Sequence, residues 1–240
     1  MTDAVVWHDV ECGSYGADLP VWRDVAAQAQ GPILELGAGT GRVALDLAAH
    51  GHEVTAVDVD PDLLRELGRR ADARGVEVAC LAVDARDLRA EPRFALVLAP
   101  MQFMQIAGGR QGRAAVLGAA AAGLAGGGRL AAALSDVTGA LAPDDAVPPL
   151  PDLGEHDGWV YSSQPLDVRV EPGGVAVERL RQRVSPTGEL TEEHHTQRLD
   201  ALSVELLEQE AAQHGLQAVE RRAIGATADH VGSMVVVCRR

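Results

Sequence analysis

The chain contains no lysine: all 21 cationic side chains among its 240 residues are arginine. That absence removes Schiff-base chemistry and the phosphate-binding lysine of a P-loop. Positive charge is scarce as well, because 35 Asp and Glu side chains leave a formal net charge of −14. With no cluster among its arginines, a chain this acidic is repelled by a phosphate backbone, so nucleic acid is not the expected partner. Cysteine is sparse. Cys12, Cys80 and Cys238 are odd in number and widely spaced, which fits neither a disulfide framework nor a zinc pattern. They read as separate reduced thiols, and no metal site is expected. The alanine-rich 114–125 region is short and broken by glycine, so no stretch stays apolar long enough to span a bilayer. Met1 to Asp9 is acidic and has no signal-peptide core. The expectation is a soluble, cytoplasmic protein. What the chain does have is 47% hydrophobic residues, enough to build the core of one α/β domain.

Residues 1–30 read as an N-terminal helical segment, with Trp22, Val25, Ala26 and Ala29 at helical spacing. Gly31-Pro32 then launches a regular alternation. Strand 32–37 leads to helix 41–50, and strand 53–58 to a helix over 61–74 that Pro61 opens and Gly75 stops. Strand 76–83 leads to Asp84. Strand 94–99 ends at Pro100, and helix 110–125 runs through Gly126-Gly127-Gly128 into strand 129–135. Such alternation predicts a parallel sheet with helices on both faces, and ligands at the carboxyl ends of the strands. Residues 139–157, rich in proline and acid, read as a loop. Residues 158–200 alternate apolar and polar residues between turn signals at 171–174 and 185–188, an antiparallel meander of three or four strands. Helix 203–214, capped by Ser203, precedes two closing strands at 217–224 and 232–239. The whole is expected to be one domain over 1–240 carrying a β insertion at 139–200.

The most telling stretch is Ile33-Leu34-Glu35-Leu36-Gly37-Ala38-Gly39-Thr40-Gly41. Glycines between a strand and a helix let a ligand approach the backbone and the N–H groups that open the helix. A dinucleotide turn is G-x-G-x-x-G, but its third glycine position holds Arg42. Asp58, seventeen residues past Gly41, ends the second strand, where a carboxylate accepts both hydroxyls of a ribose. Asp84 and the Ala85 N–H lie where an adenine edge would be read. Glu35 sits inside a buried strand, where an isolated charge is costly, so a cation or a water network is expected above it. Each feature has a plainer alternative: a tight strand–helix connection for the glycines, a helix cap for either Asp. Together they mark the strand ends that a nucleoside site uses.

Ile33 to Leu64 resembles the first two motifs of the class I S-adenosylmethionine-dependent methyltransferases, with their E-x-G-x-G-x-G turn and the acid that ends strand two. The resemblance extends along most of the chain to the bacterial small-molecule branch. Tyr15-Gly16-Ala17-Asp18-Leu19-Pro20-Val21-Trp22 is similar to its N-terminal segment, Asp84-Ala85-Arg86-Asp87-Leu88 to its adenine-side motif, and Phe94 to Pro100 to its strand-four motif. Leu206 to Arg240 resembles its last helix and β-hairpin. The resemblance implies a Rossmann-like seven-stranded α/β sheet, mostly parallel with the last strand antiparallel, and a small antiparallel insertion between strands five and six that covers the acceptor. It implies S-adenosylmethionine as cofactor, held by Tyr15, Glu35, Gly37, Ala38, Gly39 and Gly41. Asp58, Val59, Asp84, Ala85, Ala99 and Pro100 complete that set. That cofactor has no pyrophosphate, which agrees with Arg42, and it carries an ammonium and a sulfonium, which suit Glu35. The sequence departs from the family at Ala95, where an acid is common. Ala99-Pro100-Met101-Gln102-Phe103 is also not the Asn/Asp-Pro-Pro-aromatic motif of enzymes that methylate nucleic-acid amino groups.

The implied activity is methyl transfer to N or O of a small molecule by in-line displacement, for which orientation supplies much of the acceleration. A base is needed only where the acceptor must lose a proton. His194 and His195 are the candidates. On a strand only one of them faces a cleft, and the alternative for both is an exposed polar strand. His8 and His156 are further candidates, near the terminus or in loops. Trp22 reads as core. Met101, Phe103 and Met104 are expected to line the space between cofactor and acceptor. Arg169, Arg179, Arg181 and Arg183 are expected to be a solvated face that balances local acids, with an acidic acceptor as the alternative. The competing functions are an NAD-linked oxidoreductase and a non-catalytic module that binds the same cofactor. A homodimer is compatible with all three.

Overall fold

The computed structural model describes residues 1–135, 150–227 and 230–240. Four short strands build the parallel part of a sheet: β1 (Ile33–Leu36), β2 (Val54–Asp58), β3 (Val78–Ala82) and β4 (Phe94–Ala99). Every residue of β1 is buried, as befits a central strand covered on both faces. Helices α3 (Arg42–Ala49) and α4 (Pro61–Arg74) connect the first three strands. Pro61 opens α4, where a missing N–H costs nothing, and Asp60 caps it by accepting from the Asp62 N–H at 2.8 Å. α5 (Gly109–Gly123) leads to β5 (Leu124–Ser135), and α6 (Val204–Ala212), capped by Ser203, leads to β10 (Gln217–Ile224) and β11 (Ser233–Arg239). The strand order is β10-β11-β5-β4-β1-β2-β3, with β11 antiparallel to both of its neighbours. This is the expected seven-stranded, Rossmann-like sheet.

The second sheet is antiparallel, in the order β6-β7-β8-β9. Its strands are β6 (Asp152–His156), β7 (Trp159–Glu171), β8 (Gly174–Val184) and β9 (Leu190–Asp200). Two sequence expectations need correction. Residues 152–156 are a strand, not loop: they pair with 159–163, a partner that local composition does not reveal. The remainder of the expected loop, 139–149, lies outside the described residues. β5 also begins at Leu124, not after the glycines. Phe94 pairs with Leu124 and Leu96 with Arg129, so the glycine run bulges out of the ladder between two paired residues.

One apolar cluster packs α5 and α6 against one face of the large sheet, and another packs the N-terminal helix α2 (Leu19–Ala26), α3 and α4 against the opposite face. Trp22 is fully buried in the second cluster, as expected. A third, small cluster joins α1 (Asp3–His8) and the π-helical turn Asp9–Gly13 to the second sheet. There Trp7 meets Tyr161 edge to face, with ring centroids 5.1 Å apart. No described helix is long and apolar enough to cross a membrane.

The α5–α6 layer is fastened by Arg113. Its guanidinium grips Glu210 through Nε and Nη2 at 2.7 and 2.9 Å and reaches Asp200, at the end of β9, at 2.6 Å. The Arg113 and Glu210 side chains are each only 6% exposed. Removing one partner of such a pair strands the other charge in the core. Arg113→Met should therefore lower unfolding stability by about 3–5 kcal/mol, while Arg113→Met combined with Glu210→Leu regains most of it. Urea unfolding of the two variants measures the difference.

Candidate active site

A cavity of about 1470 Å³ lies over the carboxyl ends of β1, β2 and β4. Glu35, Gly37, Asp58, Ala85 and Pro100 line it from the large sheet. Trp7, His8 and Glu11 line it from the N-terminal segment, and Asp152, Arg179, Arg181 and His195 from the small sheet. The site is thus made by three separate parts of the chain.

Glu35 is the unusual group on the floor. It is 2% exposed, and its Oε2 atom has no hydrogen-bond partner. Burial pushes its carboxyl up from 4.5 to about 8; Arg42 and the Ala44 N–H oppose the rise, and Asp18 adds to it. A buried polar atom without a partner, at the edge of a cavity, is a place for a ligand cation. Above it the backbone bends at Gly37 and Gly39, with φ of +67° and +54°. A Cβ on Gly37 would stand 2.4 Å from the Phe103 ring, and one on Gly39 would stand 2.1 Å from the His8 ring. Glycine is required here by close neighbours as well as by backbone angle.

Asp58, at the end of β2, accepts the Gly39 N–H on Oδ2 at 2.8 Å and the Asp60 N–H on Oδ1 at 3.0 Å. Its carboxylate is held in place and each oxygen keeps a lone pair for a further donor. Val59 and Ala38 line the cavity beside it. Asp84 lies two residues beyond β3 and does not end it. Its carboxylate is gripped by the Arg86 side chain, with Nε at 2.9 Å, and by the Arg86 N–H at 2.8 Å. These contacts hold it below its ordinary value. Asp84 and Ala85 line the cavity, whereas Gly39, Gly41, Ala99 and Tyr15 are not among its lining residues. Gly41 serves the packing of helix on helix: a Cβ there would lie 2.6 Å from Leu67.

Arg42 holds the N-terminal segment down. It donates to both oxygens of Asp18, which is 1% exposed, and to the Tyr15 carbonyl. Asp18 also accepts from the Trp22 indole at 2.8 Å. The segment is fastened elsewhere too. Asp9 accepts from Thr40 at 2.7 Å and pairs with Arg70 of α4. Glu11 takes a two-pronged grip from Arg181, through Nε at 2.7 Å and Nη2 at 2.8 Å, and accepts from Ser163. Asp3 pairs with Arg183. These contacts escaped the sequence, because nothing in the spacing of Asp9, Glu11 and Asp18 marks partners that are tens of residues away.

The arginines of the insertion are therefore not one solvated face. Arg169 fits that description, pairing at the surface with Asp167 and Glu178, and Arg183 pairs with Asp3 in an exposed contact. Arg179 and Arg181 stand in the cavity wall, Arg179 joined to Asp152 and Ser163. The strand alternation separates the two histidines as expected. His194 points outward to Glu178, with Nδ1 at 2.7 Å, while His195 lines the cavity. Burial, aided by the Arg181 guanidinium, holds the His195 imidazole below its ordinary 6.5. His8 lies at the end of α1 over the glycine turn, and His156 is not among the lining residues.

After β4 the chain turns sharply. Met101 adopts a φ of +53°, a left-handed conformation that costs a side-chain-bearing residue about 1–2 kcal/mol. Met101 and Phe103 line the cavity as expected, but Met104 is fully buried in the core. Tyr15 lies instead on a smaller neighbouring cavity of about 250 Å³, where its ring packs against His230 at 4.6 Å.

Residues 33–128 match a protein family described as a methyltransferase domain. A stretch of 79 residues is 46% identical to the demethylmenaquinone methyltransferase of Thermus thermophilus, covering 30% of this chain and 36% of that enzyme. The chain thus matches about a third of the length of that curated relative. Among solved structures, the sugar N-methyltransferase KedS8 from a Streptoalloteichus species superposes with a TM-score of 0.76 at 18% identity, over 100% of this chain and 93% of that one. The SAM-bound amino pentose methyltransferase CalS10 from Micromonospora echinaspora superposes with a TM-score of 0.71 at 17% identity, over 100% and 98%. Residues 33–128 thus match the methyltransferase-domain family, and the chain has the fold of the S-adenosylmethionine-dependent methyltransferases.

Proposed function

We propose that the protein transfers a methyl group from S-adenosylmethionine to N or O of a small molecule. The observation that carries this reading is Glu35, a buried carboxyl with a partnerless oxygen at the cavity edge, beside the fixed carboxylate of Asp58. Glu35 receives the ammonium of the methionine part, and Asp58 accepts from the ribose hydroxyls. Gly37 to Gly41 give the backbone room, while Val59, Asp84, Ala85 and Pro100 border the adenosine side; Ala99 and Tyr15 support from behind. When bound, the cofactor would supply a sulfonium-bound methyl group, whose carbon bonds to an acceptor lone pair in line as the carbon–sulfur bond breaks and its electrons leave with the sulfur.

The small sheet covers the acceptor side. A net charge of −14 and cavity arginines that are already paired favour a small acceptor over nucleic acid. Arg42 counts against a nicotinamide dinucleotide. It occupies the place of the third glycine and is committed to Asp18. His195 takes the proton that an acceptor hydroxyl or ammonium loses, on a ring nitrogen kept neutral near pH 7 by its surroundings.

Calorimetric titration with the cofactor, its demethylated product and NAD tests the reading. The first two should bind and NAD should not; binding of NAD alone would overturn it, and turnover of any acceptor in a metabolite panel excludes a non-catalytic module. Asp58→Ala should weaken binding of the demethylated product by about 1.5–3 kcal/mol, the worth of hydrogen bonds to a charged acceptor.

Glu35 makes a sharper case. Its folded value of about 8 lies above the ordinary 4.5, so the fold favours the protonated form. That contribution is complete below 4.5 and declines as pH rises towards about 8. The ligand-free protein should lose stability over this window, and Glu35→Gln should flatten the profile. Binding of the cationic ligand at pH 7 should release a proton, seen as a buffer-dependent binding enthalpy that Glu35→Gln abolishes.

For His195, replacement by Gln should lower kcat about 10²–10⁴-fold, the usual worth of a positioned base. The wild-type rate should fall off on the acid side of 6.5, and that limb should vanish in the variant. An unaltered pH profile would remove the histidine from the mechanism.

A further inference from the structure

The inner face of the small sheet changes character along its strands. On β8, Arg181 and Arg179 face the main cavity, while Val177 and Val175, next on the same face, line the smaller one. β9 follows the same course, with His195 on the main cavity and Leu199 on the smaller. Val168 of β7 and Ala133 of β5 close the smaller chamber from either side. The two cavities share Met101, Gln102, Pro165 and His230. These four residues form an aperture, and backbone irregularity sits on it. Met101 holds its left-handed φ there, and β7 breaks register just after Pro165.

The polar groups around the chamber are already engaged. Asp18 is held by Arg42 and Trp22, the Gln102 amide donates to Ser135 at 3.1 Å, and the Tyr15 hydroxyl is bonded to Ser233. A hydroxyl-rich guest would find its own donors and acceptors unmatched and lose their hydration. An apolar guest loses nothing of the kind and gains from leaving water. At about 250 Å³ the chamber is smaller than the roughly 300–1,000 Å³ that holds a drug-sized ligand. It suits one ring or two fused rings.

We propose that this chamber is the acceptor-specificity subsite, and that it takes the uncharged, apolar ring portion of the acceptor while the N or O to be methylated sits at the aperture of Met101, Gln102, Pro165 and His230. The inference rests on the methyltransferase reading for the word acceptor, and on the chamber alone for the class of guest. It leaves Arg181 gripping Glu11 of the N-terminal segment and Arg179 gripping Asp152 of β6, not an anionic acceptor.

The probe is 1-aminonaphthalene, an apolar two-ring amine whose emission brightens and shifts to the blue on leaving water. It should bind the full chain saturably, with one site, both with and without the demethylated cofactor product. Val177→Phe and, separately, Leu199→Phe fill the chamber. Each should weaken the probe about tenfold or more, equivalent to about 1.4 kcal/mol or more, and leave affinity for the demethylated product within about twofold. Glucosamine, a small polar amine, should not displace the probe. Absence of saturable binding, indifference to both substitutions, or displacement by glucosamine would each overturn the proposal. Failure of the demethylated product to bind would bring down the methyltransferase reading instead, while the probe titration without it still reports on the chamber.

Discussion

The site depends on the buried pair between Arg42 and Asp18. Two charges taken out of water cost more than their attraction returns unless further hydrogen bonds complete them. Here the Trp22 indole and the Tyr15 carbonyl supply those bonds. The pair welds the N-terminal segment to the first turn of α3, directly behind the glycine turn. From that anchor His8 comes to rest on Gly39, Asp9 on Thr40 and Arg70, and Glu11 on the small sheet. The strap thereby ties the large sheet to the small one on this side, as Arg113 does through Asp200 on the other. The cavity is the space the strap and the two sheets leave.

The absence of lysine is part of the same design. The buried fastenings of the strap and of the α5–α6 layer include guanidinium groups that meet a carboxylate through two nitrogens: Arg42 with Asp18, Arg181 with Glu11, and Arg113 with Glu210 while it also reaches Asp200. A planar fork fixes direction as well as distance, which a single ammonium does not. In a chain of net charge −14 several of the scarce cations tie together acids from distant parts of the sequence, as Arg42, Arg113 and Arg181 do.

What was legible in the sequence follows the range of the forces involved. Helix α4 begins at Pro61 and ends before Gly75 as read, because its stop and start signals are local. The strands β1, β2 and β4 were legible because a strand buried on both faces is a largely apolar run. Glu35 and Asp58 could be placed together because they lie on adjacent strands, with Glu35 paired to Ala56. β6 was missed because its residues are strand-like only through their partner, β7. The glycine bulge in β5 was missed because glycines that end a helix look the same as glycines that loop out of a ladder. The roles of Arg179 and Arg181 were misread for a deeper reason: Glu11 comes from the N-terminal segment and Asp152 from β6, 27 residues before Arg179, and ion pairs between separated residues leave no period in a sequence.

The same division runs through the site. The half that faces Glu35 and Asp58 is assembled from neighbouring strands, so its chemistry is written in short motifs. The half that faces the small sheet is assembled from the N-terminal strap, the turn after β4, four antiparallel strands and the loop at His230, and no short motif can encode it. Charge balance links the halves. The arginines in the cavity wall are neutralised by Glu11 and Asp152, and the Asp58 carboxylate is held by two N–H groups. Glu35 is left as a buried carboxyl that avoids charge by keeping its proton, since Arg42, whose charge opposes the rise, is committed to Asp18. A neutral ligand leaves that state as it is. A cation changes it, because attraction to an ionised Glu35 then offsets the cost of burying both charges. On the proposed reading the floor of the cavity discriminates by charge, through a carboxyl carried on one of the fully buried inner strands.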